Sequence, residues 1–450
     1  MERRNFINLA ALTGLSTIIG NTGYSHITGH HIFEKISEKI SLRSNAGNWF
    51  TESRYGMFVH WGIYAIPAVH EQYQQRYNIP RKQYEQYAKQ WNPVNFDPDQ
   101  WLDLMQEAGM KYLTFTTKHH DGFCMWDTQQ TSFNVMNTPY KKDIVGMLTD
   151  ACHKRNIPIS LYYSVVDWHQ PNYPNQGRHH ELPAPGKNDK PDWEKYMQFL
   201  KAQVKELCTN YGKISGFWWD MNVPEYKDPS VNAMIRKLQP GIMINNRGFD
   251  DGDFGTPERD YKKKLSENQA FTKPVEACQS VGMQSWGYRK NEDYYSDRYL
   301  ERSIDSYLAK GANYLLNVGP DEKGLIPKES QDILIRTGKW YHSVEEAYKD
   351  VELLNNIGNK DILITGKDNI LYVHLNKLPR GNAVALNPLK VIPVKATLLN
   401  SSQHLKCIVE RKPYAKEAFL WIQDIPVNEY SNEVIVIKLE FNKPVKELIQ

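Results

Sequence analysis

Between about residues 45 and 345, short β-rich runs alternate with longer amphipathic stretches, and this alternation limits the possible folds more than any other feature of the chain. The runs Met57–His60, Tyr112–Thr116, Ile157–Tyr163, Ile214–Trp219, Ile242–Asn245 and Tyr314–Val318 read as buried parallel strands, and each leads into polar or charged residues. A closed parallel barrel gathers its chemistry in the loops at the carboxyl ends of its strands, which is where those polar residues fall. A doubly wound open sheet would alternate in the same way, but no glycine-rich phosphate turn follows the first run. The expected fold is therefore α/β, a (β/α)8-like barrel over residues 45–348.

After about Val351 the pattern changes to short alternating runs such as Ile362–Ile364, Ile370–His374 and Val434–Leu439, separated by Asn, Gly, Lys and Pro clusters. Period-two alternation with frequent turn residues predicts an antiparallel β-sandwich over residues 351–450. Nothing in it gathers catalytic groups, so packing against the barrel or weak sugar contact is its expected role. A chain of 450 residues, 40% of them hydrophobic, is long enough for one large core and a smaller second one.

The net charge is only +3 and the basic residues are interspersed with acidic ones, so no nucleic-acid partner is expected. The five cysteines, Cys124, Cys152, Cys208, Cys278 and Cys407, are odd in number and lack paired CxxC spacing, which reads as mostly buried free thiols rather than a zinc site. Arg3-Arg4, then Phe6 and an apolar, small-residue run from Ile7 to Gly20, resemble a Tat export signal over residues 1–28. A Sec signal and an amphipathic helix are the alternatives. The run is too short for a membrane span, so the expectation is export to a bacterial periplasm with no span in the mature protein.

Aromatic residues make up 12% of the sequence, including 12 Trp and 27 Tyr, many beside His, Asp and Arg. That mixture suits a sugar, whose CH faces pack on rings while its hydroxyls find polar groups, although a large α/β core also buries aromatics. Five strand-end segments concentrate such groups. The first is Arg54–Tyr64, followed by Glu71. The second is Lys118–Trp126, in which His119 and His120 are expected on opposite sides of a strand and suit hydroxyl hydrogen bonding better than one shared metal ion. The third, Tyr162–His169, adds aromatic and polar contacts. The fourth, Gly216–Asn222, sets Asp220 just past an apolar strand, where a carboxylate must be solvated, paired or used. The fifth supplies Arg247 and two candidate acids, Glu258 and Glu276, before reaching Trp286.

In these segments the chain resembles the retaining α-L-fucosidases of glycoside hydrolase family 29. The matching stretches are RYGMFVHWGIYAIPA from Arg54, TKHHDGFCMWDT from Thr117, LYYSVVDW from Leu161, GFWWDMN from Gly216, SWGY from Ser285 and LLNVGPDEKGLIP from Leu315. The resemblance covers about Trp49 to Tyr348 and implies a TIM barrel followed by a β-sandwich. It further implies an exo-acting enzyme that releases α-L-fucose from fucosylated oligosaccharides or glycoconjugates by double displacement, with no cofactor and no metal. Carried over residue by residue, the nucleophile falls on Asp220 and the fucose contacts on His60, Glu71, His119, His120, Tyr162, Trp218 and Arg247. Trp286, in the SWGY stretch, is expected as a further contact. Glu258 matches the acid/base of some members, with Glu276 as the second candidate. Gln72 stands where a Trp is common in relatives, so one pocket wall differs. The competing readings are an inactive fucose-binding protein, a barrel glycosidase for another sugar such as a galactoside, and a metal-dependent hydrolase using His119, His120, Asp121 and Asp220. The last lacks an HExxH motif.

Overall fold

A computed structural model describes residues 48–220, 228–259, 270–271, 273–413 and 416–448. The expected export signal over 1–28 lies outside the described residues, as do Met221 and Asn222 and most of the loop from Lys262 to Thr272.

Seven parallel strands form one sheet: β1 (Tyr55–Val59), β2 (Leu113–Lys118), β3 (Ile159–Ser164), β4 (Gly216–Asp220), β5 (Met243–Ile244), β6 (Glu276–Ser280) and β7 (Asn313–Val318), in the order β5-β4-β3-β2-β1-β7-β6. The two edge strands are linked through residues 254–258, where Asn245 bridges Phe254, Gly255 bridges Val275 and Glu258 bridges Cys278, all in parallel. This extended segment occupies the eighth position of the barrel in place of a regular strand. The sequence-based reading missed β6, whose residues Glu-Ala-Cys-Gln-Ser carry no β-branched or aromatic side chain.

Helices α1 (Pro98–Glu107), α2 (Ile144–Lys154), α3 (Trp193–Thr209), α4 (Pro229–Leu238), α5 (Asp297–Ala309) and α6 (Lys328–Val344) cover the sheet. The first five open on an oxygen cap, from Asp97, Asp143, Asp192, Asp228 and Ser296 in turn, which satisfies a backbone N–H left free by the first turn.

Because side chains alternate along a strand, each barrel strand splits its residues between two cores. Val59, Phe115, Leu161, Tyr163, Phe217, Trp219, Tyr314, Leu316 and Val318 join the core shared with the helices. Phe58, Tyr162, Trp218, Cys278 and Leu315 pack together in a second, smaller core. Two positions after four of these inner residues, on the same side and nearer the carboxyl end, stand His60, Ser164, Asp220 and Asn317. An apolar layer is thus topped by a polar one, and the polar layer is the floor of the site.

Among the described residues, nine further strands build the sandwich. One sheet holds β8 (Glu352–Leu353), β9 (Leu363–Lys367), β10 (Ile370–Leu375), β12 (Lys395–Leu398), β13 (Gln403–His404) and β16 (Ile435–Glu440); the other holds β11 (Val384–Leu386), β14 (Lys406–Glu410) and β15 (Phe419–Gln423). All their pairings are antiparallel. Alternation again divides the side chains. Leu371, Val373, Ile435 and Ile437 face the sandwich core, whereas Tyr372, Val434 and Val436 join the barrel core. On that second face, buried His374 meets Asp305 of α5 at 2.6 Å, and Tyr348 donates to the same carboxyl at 2.8 Å. Barrel and sandwich belong to one compact unit over Asn45–Gln450.

Candidate active site

The carboxyl ends of the barrel strands surround a cavity of about 200 Å³, lined by His60, Glu71, His119, His120, Tyr162, Trp218, Asp220, Glu258 and Trp286. It is smaller than the ~300–1,000 Å³ that takes a drug-sized ligand and suits one sugar ring. Trp218 forms part of its apolar wall, stacked on Tyr162 at 5.5 Å and covered by the Arg247 guanidinium at 4.9 Å.

Asp220 ends β4 and points inward because Trp218, two residues earlier, does so. Its Oδ2 accepts a hydrogen bond from Tyr162 at 2.7 Å, and its Oδ1 accepts one from Arg247 Nη1 at 3.1 Å. The same Nη1 contacts Glu258 Oε1. Arg247 is itself held from behind by Thr256, through the side-chain oxygen at 2.7 Å and the backbone carbonyl at 2.7 Å.

The two carboxyls are pushed in opposite directions. Burial is the largest influence on Asp220 and raises its pKa, but Arg247, His120 and the Tyr162 hydroxyl together outweigh it and hold the group below the ordinary aspartate value. For Glu258, burial and the nearby Asp220 charge outweigh Arg247 and raise the carboxyl above the ordinary glutamate value. One carboxyl is thus biased toward its ionised form and the other toward its protonated form, the direction of division that acid/base chemistry at a single centre needs. Glu258 is also the more open, with a side chain 31% exposed against 9% for Asp220.

Glu276 lies elsewhere. It begins β6, is 2% exposed and does not line the cavity. Its two oxygens accept from Tyr112 at 2.7 Å and from the Trp218 indole at 2.9 Å, and burial pushes it up to about 7. The arrangement orients the indole from beneath.

Glu71 is buried and accepts at one oxygen from the Ser285 hydroxyl at 2.7 Å and from the backbone N–H groups of Trp286 at 2.9 Å and Gly287 at 3.3 Å. Despite the cost of burial, the neighbouring His70 and the Ser285 hydroxyl keep it below its usual range. Burial lowers the pKa of His60, takes His119 well below its usual value and takes His120 to about 3, so all three rings are neutral and able both to donate and to accept.

His119 and His120 do not diverge as strand alternation predicts. β2 ends at Lys118, so the alternation has stopped before them; their ring centroids lie 4.0 Å apart and both line the cavity. Asp121 turns away to accept from Tyr84 at 2.8 Å and from the Phe123 N–H at 3.1 Å. Gly122, with φ +79°, is required next because a Cβ there would strike Asp167. No three His, Cys, Asp or Glu side chains converge as a metal site among the described residues. The five thiols are unpaired, four of them buried.

Gln72, expected to alter one pocket wall, lines the cavity, and so do residues that were not picked out in the sequence: His70, Arg76, His180, Arg259, Met283 and Gln284. The signal for His70 and Arg259 was their adjacency to Glu71 and Glu258. His180 sits in a long loop that carries no strand-end signal.

The alpha-L-fucosidase family profile matches residues 28–346. The chain belongs to this family. Tissue alpha-L-fucosidase of Bos taurus is 27% identical over 420 residues, 84% of this chain and 85% of that protein. Alpha-L-fucosidase isoenzyme 1 from Paenibacillus thiaminolyticus is 33% identical with a TM-score of 0.79, covering 89% of this chain and 100% of that one. A family 29 alpha-L-fucosidase from Bacteroides thetaiotaomicron, solved as a covalent intermediate trapped with 2-fluoro-fucosyl fluoride, is 26% identical with a TM-score of 0.72 over 88% of this chain and 96% of that one. The protein is a fucose-releasing glycosidase, and neither an inactive binding protein nor a galactosidase is favoured. Among the described residues no helix is long and apolar enough to cross a membrane.

Proposed function

We propose that this fucosidase is a retaining exo-enzyme in which Asp220 is the nucleophile and Glu258 the acid/base. An oxygen of ionised Asp220 attacks the anomeric carbon while Glu258 gives its proton to the departing oxygen, leaving a fucosyl ester on Asp220. Glu258, now a carboxylate, takes a proton from water as the water oxygen attacks the same carbon and releases Asp220. The observation that carries this reading is the single Arg247 Nη1 shared by both carboxyls. Their nearest oxygens are no farther apart than two hydrogen-bond lengths, about 6 Å. That supports the ~5–5.5 Å spacing of retaining pairs over the ~6.5–9.5 Å needed to seat a water in inverting ones. Forming the ester also removes the Asp220 charge that helps to raise Glu258, so its pKa falls and it stays in the carboxylate form that the second step needs.

His60, Glu71, His119, His120, Tyr162, Trp218, Arg247 and Trp286 are the proposed fucose contacts, with neutral imidazoles reading hydroxyls and Trp218 and Trp286 packing on the CH faces. The proposed substrate is a fucosylated oligosaccharide or glycoconjugate. Export to a bacterial periplasm is proposed from Arg3-Arg4 and the apolar run that follows.

The test is to follow the hydrolysis of an aryl α-L-fucoside by proton NMR. The α anomer of fucose appears first and mutarotates afterwards; initial release of the β anomer would refute the double displacement. The pH dependence follows from the two shifts. kcat/KM falls as pH drops through the lowered pKa of Asp220, because the nucleophile is protonated, and falls as pH rises through the raised pKa of Glu258, because the acid is lost. The profile is therefore a bell, and a rate that climbs steadily into alkaline pH would contradict the assignment.

A further inference from the structure

Two of the cavity histidines are tied at Nδ1 to side chains whose own hydrogen bonds leave no choice about where the protons lie. Asn317, at the inward face of β7, directs its Nδ2 to the Trp286 carbonyl at 2.7 Å and to Ser280 Oγ at 3.1 Å. A carbonyl oxygen only accepts, so the amide nitrogen must face Trp286 and the amide oxygen must face His60, 2.7 Å from its Nδ1. That oxygen accepts, so His60 Nδ1 carries the proton. Ser164 makes the same argument on β3. Its single hydroxyl proton goes to the Val166 carbonyl at 2.7 Å, so it can only accept from His120 Nδ1, also at 2.7 Å.

We infer that Asn317 and Ser164 are positioning residues that hold His60 and His120 as Nδ1–H tautomers, so that both rings present an unprotonated Nε2 to the sugar. The inference rests on the reading of this cavity as the fucose site. A neutral imidazole in water prefers the opposite tautomer, with its proton on Nε2; the protein reverses that preference at both rings. The result is a donor-reading pocket, because the groups that meet these two nitrogens must supply O–H protons. At His120 the acceptor Nε2 lies 3.8 Å from a second acceptor, Asp220 Oδ2, so a group set between them must bring a proton to at least one. A sugar hydroxyl fits there, and a fluorine or methyl ether in its place does not.

The Asn317 network runs on into the loop that holds the opposite wall. Ser280 donates to the Ser285 carbonyl at 3.2 Å, and Ser285 and Trp286 bind Glu71. The proton on His60 is thus set by the same chain of bonds that places Glu71 and Trp286.

The direct test is long-range proton–nitrogen NMR on histidine-labelled protein near neutral pH, with the two rings assigned by their loss in His60→Gln and His120→Gln. Each ring shows a pyrrole-type Nδ1 and a pyridine-type Nε2. A pyridine-type Nδ1 at either ring would overturn the inference, and the result does not depend on whether Asp220 is the nucleophile. A second measurement uses activity. Ser164→Ala raises KM for an aryl fucoside by about tenfold, the worth of one hydrogen bond, with a much smaller change in kcat, and Ser164→Thr restores it. In Asn317→Asp the new charge favours a second proton on His60 Nε2, so the acid limb of kcat/KM moves to higher pH. An unmoved acid limb in that variant, or equal kinetics in Ser164→Ala and the parent, would contradict the assignment.

Discussion

Replacing Asp220 by glycine lowers kcat on aryl fucosides by about 10⁴-fold or more, because it removes the carboxylate proposed to form the ester bond to the anomeric carbon. The fold survives: Asp220 caps the inner face of β4 at the cavity and belongs to none of the hydrophobic cores, so circular dichroism and melting temperature stay near those of the parent. Removing the carboxylate also leaves space on the face it occupied. Azide entering that space attacks the anomeric carbon directly and gives β-L-fucosyl azide, a single inversion. Turnover by Asp220→Gly within tenfold of the parent would move the nucleophile elsewhere.

A different signature is expected for Glu258→Ala. Release of a poor leaving group such as a sugar hydroxyl falls by about 10²–10⁴-fold, since it leaves only with a proton. An activated aryl group departs unaided, so on that substrate the second step becomes slow and the fucosyl ester on Asp220 accumulates. Azide, which needs no general base, then attacks the ester and restores turnover, giving α-L-fucosyl azide after two inversions. Glu276→Gln provides the contrast. It keeps an acceptor for one of the two donors beneath the pocket, Tyr112 or Trp218, and is expected to stay within about tenfold of the parent without any response to azide. Azide rescue at Glu276→Ala instead of Glu258→Ala would reverse the two roles.

These assignments show what in the chain was legible from sequence and why. Strands such as Gly216–Asp220 declare themselves because both faces are buried and the residues that end them are polar, so the position of Asp220 follows from the period of the backbone. β6 gave no such sign, since a strand of Glu, Ala, Cys, Gln and Ser is specified by the neighbours that flank it rather than by its own propensity. Alternation also misled where it was carried past the end of a strand. His119 and His120 lie beyond Lys118, and their shared orientation is set by loop geometry and by contacts to Tyr162 and Ser164. In the sequence, Glu258 stood ahead of Glu276 only through the resemblance to family members. Burial and hydrogen bonding separate them, because one meets Arg247 at an open edge and the other is enclosed beneath Trp218.

Asn317 and Ser164 belong to a third kind of case. Each occupies the position two residues after a buried inner residue, Leu315 or Tyr162, in the pattern that also yields His60 after Phe58 and Asp220 after Trp218. The pattern was present in the sequence, yet a serine or asparagine at a strand end has too many uses for its role to be read without its partners.

Covalent capture of the nucleophile addresses the mechanism most directly. With 2-deoxy-2-fluoro-fucosyl fluoride, the fluorine on the ring slows both displacements while the fluoride leaving group keeps the first faster than the second, so the ester builds up. Intact mass then rises by a single fluorofucosyl group, and peptide mapping puts it on Asp220. A label on any other side chain, or turnover of the reagent to the β anomer with no label at all, would contradict the account.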